Sequence, residues 1–215
     1  MISQFNNHYI SGVAETESQK KLCHRVRYNV YVEQQGFEPP NKELEERDGL
    51  DAQAHHNLIC FKNGTPIATS RLIFEQMPIF KYQAISNQLP PISHCAEISR
   101  FCVDQLKVRS IIQNIKKTSP TLARSIKFSS KMLASALMRL NMETCLKMGK
   151  THLVGLTETS LVNKMCYLGF SIDVVGPQIN HHGWRLPFVM NVEQSYSNIK
   201  QKNEDFWRFI TNQPN

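Results

Sequence analysis

Glu97, Ser99 and Arg100 place a carboxylate, a hydroxyl and a guanidinium close together in one apolar stretch of the chain. The stretch, residues 97–103, is rich in Ile, Phe, Cys and Val, which predicts a short buried strand. Because a strand alternates its faces, we expect Glu97 and Ser99 on one side and Ile98 and Arg100 on the other. Burying a charge costs free energy unless the charge is paired, so an unpaired buried charge indicates a functional role. The stretch therefore predicts either a structural ion pair or part of a reaction site.

Other chemistry-bearing residues give weaker patterns. Cys102 lies beside the charged pair, but nothing around it indicates a thiol of lowered pKa, so a core cysteine is favoured. The pairs at 55–56 and 181–182 are histidines without an HExxH helix or another ligand spacing. We therefore predict no metal site from these pairs.

Length and composition bound the class of protein. The 215 residues suit one domain with a substantial core, and 41% hydrophobic with 20% charged residues describes a soluble globular chain. No apolar run is long enough to predict a membrane-spanning helix, and the N-terminal residues lack the pattern of a signal peptide. The six cysteines form no CxxC pair and lie mostly among apolar residues, which predicts reduced thiols in a cytoplasmic protein.

The net charge of +7 is unevenly distributed along the chain. No acidic residue lies between Asp104 and Glu143, whereas that segment holds many lysines and arginines. Such a surface attracts an acidic partner, which could be a nucleic acid, a membrane face or an acidic protein, although a merely solvated basic face is also possible. Phe128 is the one aromatic residue in the segment, which disfavours single-stranded nucleic acid.

Periodicity predicts a mixed α/β fold around one central sheet, as a single domain over residues 1–215 with a core of about 15–192. A turn at Asn63-Gly64 should join two of the strands. We expect a long connection over 75–94, and a loop followed by a helix in the basic segment. Helices are predicted over 15–36, 128–149, 160–168 and about 196–211, and strands over 55–61, 67–74, 97–103, 151–156, 170–175 and 184–191.

Several fragments in this order resemble the acyl-homoserine-lactone synthases and the related N-acyl amino acid synthases. They are Arg27-x-x-x-Tyr31, Phe37, Asp48-x-x-Asp51, Arg71 and Glu97-x-Ser99-Arg100-Phe101. In the second half, Leu168-Gly169-Phe170, Gly176-Pro177 and His182-Gly183-Trp184-Arg185-x-Pro187 are similar to the acyltransferase associated with the PEP-CTERM/exosortase system. The resemblance covers about residues 20–190 and implies the fold of the GCN5-related N-acyltransferases (GNAT).

Two departures from these relatives concern the substrates. Homoserine-lactone synthases usually carry Trp where Phe37 stands, and that Trp helps to bind S-adenosylmethionine. Coenzyme A enzymes of the fold carry a glycine-rich loop after the central strand, whereas residues 104–131 contain no glycine and are basic. Both features of this segment favour an acyl donor on acyl carrier protein, a small acidic protein, over acyl-coenzyme A.

The resemblance implies an N-acyltransferase that moves a fatty acyl group from acyl carrier protein to the amine of an amino acid or a related small amine. Glu97 would be the general base, directly or through water, with Ser99 and Arg100 beside it. Arg71 and Arg100 could pair with Asp48, Asp51 and Glu97. The implied substrate-binding residues are Arg27, Tyr31, Phe37, Asp48, Asp51, Arg71 and Phe101.

The basic segment supplies the expected docking residues for the carrier protein. They are Lys107, Arg109, Lys116, Lys117, Arg124, Lys127 and Lys131. We expect no bound cofactor, metal, nucleic-acid partner or stable membrane insertion. Three alternatives remain: a lactone synthase that uses S-adenosylmethionine, a non-catalytic module that binds a carrier protein or an anion, and a purely architectural role for the Arg/Asp set.

Overall fold

The computed structural model describes residues 1–213, which are arranged around a mixed sheet. The strands lie in the order β1–β2–β3–β4–β5–β8–β6, and the short β7 pairs with β8. Neighbouring strands are antiparallel except β4 and β5, which are parallel. The strands are β1 (Tyr9–Val13), β2 (His55–Phe61), β3 (Pro66–Ile73), β4 (Cys95–Val103), β5 (His152–Thr157), β6 (Ser171–Val174), β7 (Ile179–Asn180) and β8 (Trp184–Asn191).

Helices cover both faces of this sheet. On one face α2 contacts β2, β3 and β4, and on the other α6 contacts strands β1 to β5. The largest cluster of buried apolar side chains lies on the α6 face. The helices are α1 (Ile2–His8), α2 (Glu17–Arg27), α3 (Gln83–Ser86), α4 (Gln105–Thr118), α5 (Pro120–Ser130), α6 (Leu133–Lys147), α7 (Thr159–Leu168), α8 (Val192–Lys202) and α9 (Glu204–Ile210). The predicted mixed α/β class is confirmed.

The packed core begins earlier than residue 15. Helix α1 and strand β1 precede it, and Phe5 and Tyr9 are buried with ring centroids 4.9 Å apart. Phe5 also packs edge-on against Phe209 of α9, at 5.6 Å. This short N-terminal segment has too few turns for a clear helical period, and only its contacts with distant elements stabilise it.

The predicted first helix divides into two kinds of backbone. Thr16 caps α2 through a reciprocal capping box with Gln19, as its residue type suggests. After Arg27 the chain continues as a π-helical segment, Tyr28–Gln34, and the turn ends at Gly36. π-Helical turns are rare and cluster at functional sites. This segment carries Tyr31 to the edge of the cavity described below.

The helical part of the second half differs from the prediction at three places. Helix α4 starts immediately after β4, with no intervening loop, because Asp104 caps it by accepting from the Lys107 amide. The predicted helix over 128–149 starts at Leu133, after α5 has ended. The predicted C-terminal helix is two helices, because Asn203 ends α8 and caps α9. No helix among residues 1–213 is both long and apolar enough to cross a membrane.

Candidate active site

A β-bulge in β4 decides which side chains of the charged strand lie together. Arg71 of β3 is opposite Ser99, but Thr69 is opposite Cys102, so β4 has one extra residue between these pairs. Arg100 lies in this bulge with a φ of +49°, a left-handed conformation that is uncommon for a residue other than glycine. A strained backbone conformation of this kind persists only where surrounding contacts hold it, and here Arg100 is held by Glu46 and Asp48.

The bulge overturns the predicted alternation at Arg100. On the α2 face, Ser99 accepts from Arg71, and Arg100 donates to Asp48 of the acidic segment, residues 45–51. Ile98 packs on the α6 face, in the main core cluster. Two consecutive residues therefore project to the same side, and Arg100 does not share the face of Ile98 as strict alternation predicted.

A cavity opens where β4 and β5 separate. Their parallel pairing covers only Cys95–Glu97 against His152–Val154. At the point of separation a Cβ on Gly155 would lie 2.7 Å from the carbonyl oxygen of Ile98, so a side chain there would clash. Beyond it lies a cavity of about 420 Å³, lined by residues from both strands, from the π-helical segment, from α7 and from the β7–β8 turn.

The cavity has a polar part and an apolar part. The polar part includes four of the predicted site residues: Glu97, Ser99, Arg100 and Tyr31. Phe37 and Phe101 also line the wall. The apolar lining comes from Met138, Leu156, Leu161, Val162, Met165, Ile172, Phe188 and Met190. Such a wall suits a hydrocarbon chain, because it offers contact without polar partners.

Glu97 is a buried carboxylate without an ion-pair partner among the described residues. Its side chain is on the cavity wall although the residue is only 7% exposed. One carboxylate oxygen accepts from the backbone N–H of Ile79 at 2.9 Å. Burial raises the pKa of Glu97 to about 7, although the Ile79 N–H and the charge of Arg71 act in the opposite direction. The predicted ion pairs of Glu97 with Arg71 and Arg100 are therefore wrong.

Both arginines are occupied elsewhere, in a cluster that we call the ion-pair network. Arg71 donates to Asp48 at 2.6 Å and to Asp51 at 2.8 Å. Arg100 donates to Asp48 at 3.2 Å and to Glu46 at 3.1 Å. The network consists of Arg27, Arg71, Arg100, Glu46, Asp48 and Asp51.

Arg27 lies inside the ion-pair network and does not line the cavity, where it was expected. It is fully buried and donates to Asp51 at 2.7 and 3.1 Å and also to Glu46. Burial alone would raise the pKa of Asp51, but the hydrogen bonds and charges of Arg27 and Arg71 hold it well below its usual range. Sequence reasoning missed Glu46, because it stands among other acidic residues that have no distinguishing spacing.

A stack of rings closes one side of the cavity. Tyr31 and Phe37 lie 6.4 Å apart between centroids, and Phe37 stacks on His182 at 5.0 Å. The guanidinium of Arg100 lies 5.9 Å from the centre of the Tyr31 ring. His182 lies in the β7–β8 turn and Arg185 at the start of β8, and both line the cavity. The sequence singled out their motif only through the family resemblance.

The predicted docking residues lie on α4 and α5 and at the end of α5. Lys107 is half-buried and the other six are exposed. The carboxylate of Asp104, at the start of α4, accepts from Asn29, Gln34 and the Lys107 amide. The N-terminus of α4 is thus already occupied by a negatively charged side chain of the protein itself.

The structure also brings His24, Asp51 and His56 together, with one possible ligand atom of each within 4.8 Å of the others. The Asp51 oxygens already accept from two guanidiniums and from the Asp48 amide. Burial lowers the pKa of His56 to about 4. A divalent cation would have to displace these donors beside two positive charges, so the group fits a metal poorly.

Comparison with known proteins identifies the family. The Autoinducer synthase family model matches residues 12–173. No curated protein sequence matches the chain. Among solved structures, TofI in a ternary complex with an inhibitor and MTA is 17% identical with a TM-score of 0.67, over 88% of this chain and 96% of that one.

Two other solved structures share the fold and differ in their reported substrates. The CoA-dependent acyl-homoserine lactone synthase BjaI, solved with SAM and isopentyl-CoA, is 16% identical with a TM-score of 0.65, over 90% of this chain and 89% of that one. FeeM, an N-acyl amino acid synthase from uncultured soil microbes, is 13% identical with a TM-score of 0.59, over 88% of this chain and 94% of that one.

A solved putative N-acetyltransferase from Lactobacillus plantarum, 14% identical with a TM-score of 0.53 over 85% of this chain and 97% of that one, supports the predicted GNAT-like fold. The family match covers most of the chain and includes the bulged strand, the ion-pair network and part of the cavity lining. It excludes the alternative of a non-catalytic binding module. The chain belongs to the autoinducer synthase family and is an acyltransferase.

Proposed function

We propose that the protein transfers a fatty acyl group from an acyl carrier protein thioester to the amine of an amino acid or a related small amine. The observation that carries this proposal is Glu97, a carboxylate with a pKa of about 7 on the wall of a cavity that is polar at one part and apolar at another. A base with a pKa near the working pH is suited to proton transfer.

The proposed reaction follows from the state of the two substrates. The amine arrives as an ammonium ion, and Glu97, directly or through water, accepts a proton so that the nitrogen lone pair can attack the thioester carbonyl. This attack forms the C–N bond. When the tetrahedral intermediate collapses, the C–S bond breaks, the nitrogen gives up its second proton, and the carrier thiolate takes up a proton and leaves as the thiol. Beyond Glu97 the edge of β4 towards β5 has no strand partner in residues 1–213, so its backbone N–H groups are candidates to stabilise the oxyanion.

The remaining polar residues have supporting roles in this proposal. Ser99 accepts from Arg71 at 3.0 Å, and Arg100 packs over Tyr31, so both hold the shape of the wall beside the base. Asp48, Asp51, Arg71 and Arg27 keep the acidic segment fixed against the sheet. Phe37, Tyr31 and Phe101 contact the substrates.

Two features favour a carrier-bound donor over acyl-coenzyme A. A pyrophosphate at the start of α4 would meet the carboxylate of Asp104, which already accepts the helix N–H of Lys107. The exposed basic residues of α4 and α5 match the charge of an acidic carrier protein. Because BjaI is described as CoA-dependent and shares the fold, the fold itself does not select the donor.

S-adenosylmethionine is the second candidate acceptor, which would make the protein an acyl-homoserine-lactone synthase. The match to the Autoinducer synthase model favours it. Phe37, at the position where we expect Trp in such enzymes, favours an amino acid instead. The resemblance to the PEP-CTERM/exosortase-associated branch stays a prediction.

A product screen tests the proposal. Purified protein is given carrier protein loaded with medium and long acyl chains, together with the twenty amino acids and S-adenosylmethionine, and products are identified by mass spectrometry. We expect an N-acyl amino acid. A lactone product would establish the second candidate, and turnover that is faster with acyl-coenzyme A than with acyl carrier protein would overturn the proposed donor.

Charge reversal tests the docking face. Changing Lys116, Lys117 and Arg124 to Glu should raise the KM for the acyl carrier at least roughly tenfold and weaken its dependence on salt, because long-range attraction accelerates encounter. The matched control reverses Lys21, Arg25 and Lys62, which are exposed elsewhere. Equal effects of the two triple variants would show that α4 and α5 are not the docking face.

A further inference from the structure

The polar part of the cavity contains one cation whose charge the protein leaves largely uncompensated. Among the described residues that line the cavity, the guanidinium groups are those of Arg100 and Arg185, and no lysine contributes. Arg100 is bound by Glu46 and Asp48, within a network of three guanidiniums and three carboxylates. A substrate carboxylate placed there would compete with charges that are already matched.

Arg185 has a different environment. Its Nη2 donates to the carbonyl oxygen of His182 at 2.7 Å, and its Nη1 donates to that of Trp184 at 3.2 Å. These partners are neutral, so they orient the guanidinium without cancelling its charge. The carboxylate of Glu158 is 3.7 Å away and its side chain is 62% exposed, so solvent screens this pair.

The turn before Arg185 is built to hold this side chain. His182 and Gly183 both have positive φ, at +49° and +98°. The His182 carbonyl is thereby turned towards the guanidinium. A Cβ on Gly183 would lie 3.1 Å from Nη1 of Arg185, so the absence of a side chain leaves room for the guanidinium to lie against the turn. The ring of His182 meanwhile stacks on Phe37, which joins the turn to the cavity wall that carries Tyr31.

We infer that Arg185 binds the carboxylate of the acceptor substrate, and so makes the site selective for amino acids over simple amines. This inference rests on the proposed function. The guanidinium retains N–H groups that can form a charge-assisted pair with a carboxylate. Glu97 lines the same cavity, so one wall offers a base for the amine and another a cation for the acid group of the same molecule. Arg27 and Arg100 do not offer the same group, because both are occupied by carboxylates of the protein.

A binding experiment tests the inference without depending on turnover. The probes are N-dodecanoylglycine and N-dodecanoylglycinamide, which share the acyl chain and differ only in the carboxylate. Titration calorimetry should show that the wild-type protein binds the acid roughly tenfold or more tightly than the amide. In Arg185→Gln the affinity for the acid should fall to that for the amide, while the affinity for the amide stays unchanged. Arg185→Lys should retain part of the preference.

Arg25→Gln is the matched control, because it removes the same charge from an exposed position of α2. It should leave both affinities unchanged. If Arg185→Gln lowered the affinities for the acid and the amide equally, the inference would be overturned, and Arg185 would only support the turn. An unchanged preference for the acid would also overturn it.

Kinetics distinguish this inference from the proposed function. In Arg185→Gln the KM for the amino acid should rise, with little change in kcat or in the KM for the acyl carrier. A rise confined to the KM for the donor would assign Arg185 to a donor phosphate and overturn the inference. If the wild-type protein made no N-acyl amino acid but still preferred the acid probe through Arg185, the proposed function would fail and the carboxylate site would stand.

Discussion

Two kinds of carboxylate lie close to β4, and among them Asp48 is partly exposed. Glu46, Asp48 and Asp51 each pair with two guanidiniums in the ion-pair network. Glu97 is about as buried as Glu46 and Asp51, but it accepts from one backbone N–H and forms no ion pair within residues 1–213. The pKa of Asp51 is therefore held low, whereas burial raises that of Glu97 to about 7. The difference separates a matched charge, which stabilises the fold, from an unmatched one, which can exchange a proton near neutral pH.

The comparison also shows that residues close together on β4 can have different roles. Ser99 and Arg100 follow Glu97 closely, yet their side chains bond to the ion-pair network. Ser99 lies opposite Arg71 in the sheet, and the bulge at Arg100 turns that side chain towards Asp48 and Glu46. Replacing one member of each group should therefore affect different properties of the protein.

Glu97→Gln should have the largest effect, which is on catalysis. The amide keeps the size of the side chain and can still accept from Ile79, but it cannot take a proton. We expect kcat to fall by roughly 10²- to 10⁴-fold. Binding of the acyl carrier should persist. Steady-state kinetics measure the change, with Glu193→Gln on the exposed side of α8 as the control. Retained turnover in Glu97→Gln would show that the base lies elsewhere.

Arg27→Met should have its main effect on stability. The variant leaves the buried carboxylates of Glu46 and Asp51 with one guanidinium each instead of two. We expect the loss of this buried cation to cost about 3–5 kcal/mol of the free energy of unfolding. Arg25→Met on the same helix is exposed and should change it by less than about 0.5 kcal/mol. Urea denaturation followed by circular dichroism measures both. If the two variants were equally stable, the ion-pair network would not be the structural group that its geometry indicates.

The pH dependence of stability should show the smallest effect. In the unfolded chain Glu97 loses its proton near its ordinary pKa of 4.5, but in the folded protein it keeps it up to about 7. Between these values the unfolded state binds fewer protons, so the free energy of unfolding falls as pH rises. The contribution is roughly 3 kcal/mol.

Glu97→Gln removes this group and tests its part in the decline. Urea denaturation at about pH 5 and about pH 7.5 should show a smaller loss of stability in the variant than in the wild type. Parallel declines in the two proteins would mean that Glu97 does not titrate in this range. Asp51 lies outside this window, since its low pKa means that its stabilising contribution is lost only in stronger acid.

Local patterns predicted much of the sheet. Strands β2 and β8 were predicted with their exact bounds, and β3, β4, β5 and β6 within two residues at each end, because apolar runs between turn residues carry this information in the sequence itself. The turn at Asn63-Gly64 joins β2 and β3 as expected. The fold class followed from the order of these elements.

The errors arose where a distant contact decides a local conformation. No glycine or other residue type marks the bulge at Arg100, which depends on how β3 pairs with β4. Glu46 differs from its acidic neighbours only because Arg27 and Arg100 reach it. The motif Arg27-x-x-x-Tyr31 does not reveal whether Arg27 contacts a substrate or two carboxylates of the protein.

The sequence by itself determined the types of group available to the site, their order along the chain, and most of the strands that carry them, since these depend on local composition and spacing. Only the tertiary structure decided which charges neutralise one another and which stay unmatched. Glu97 and Arg185 differ from Asp51 and Arg27 in their partners and surroundings, not in their residue type. Those partners come from distant segments, and the electrostatic environment of a side chain is set by the groups packed around it.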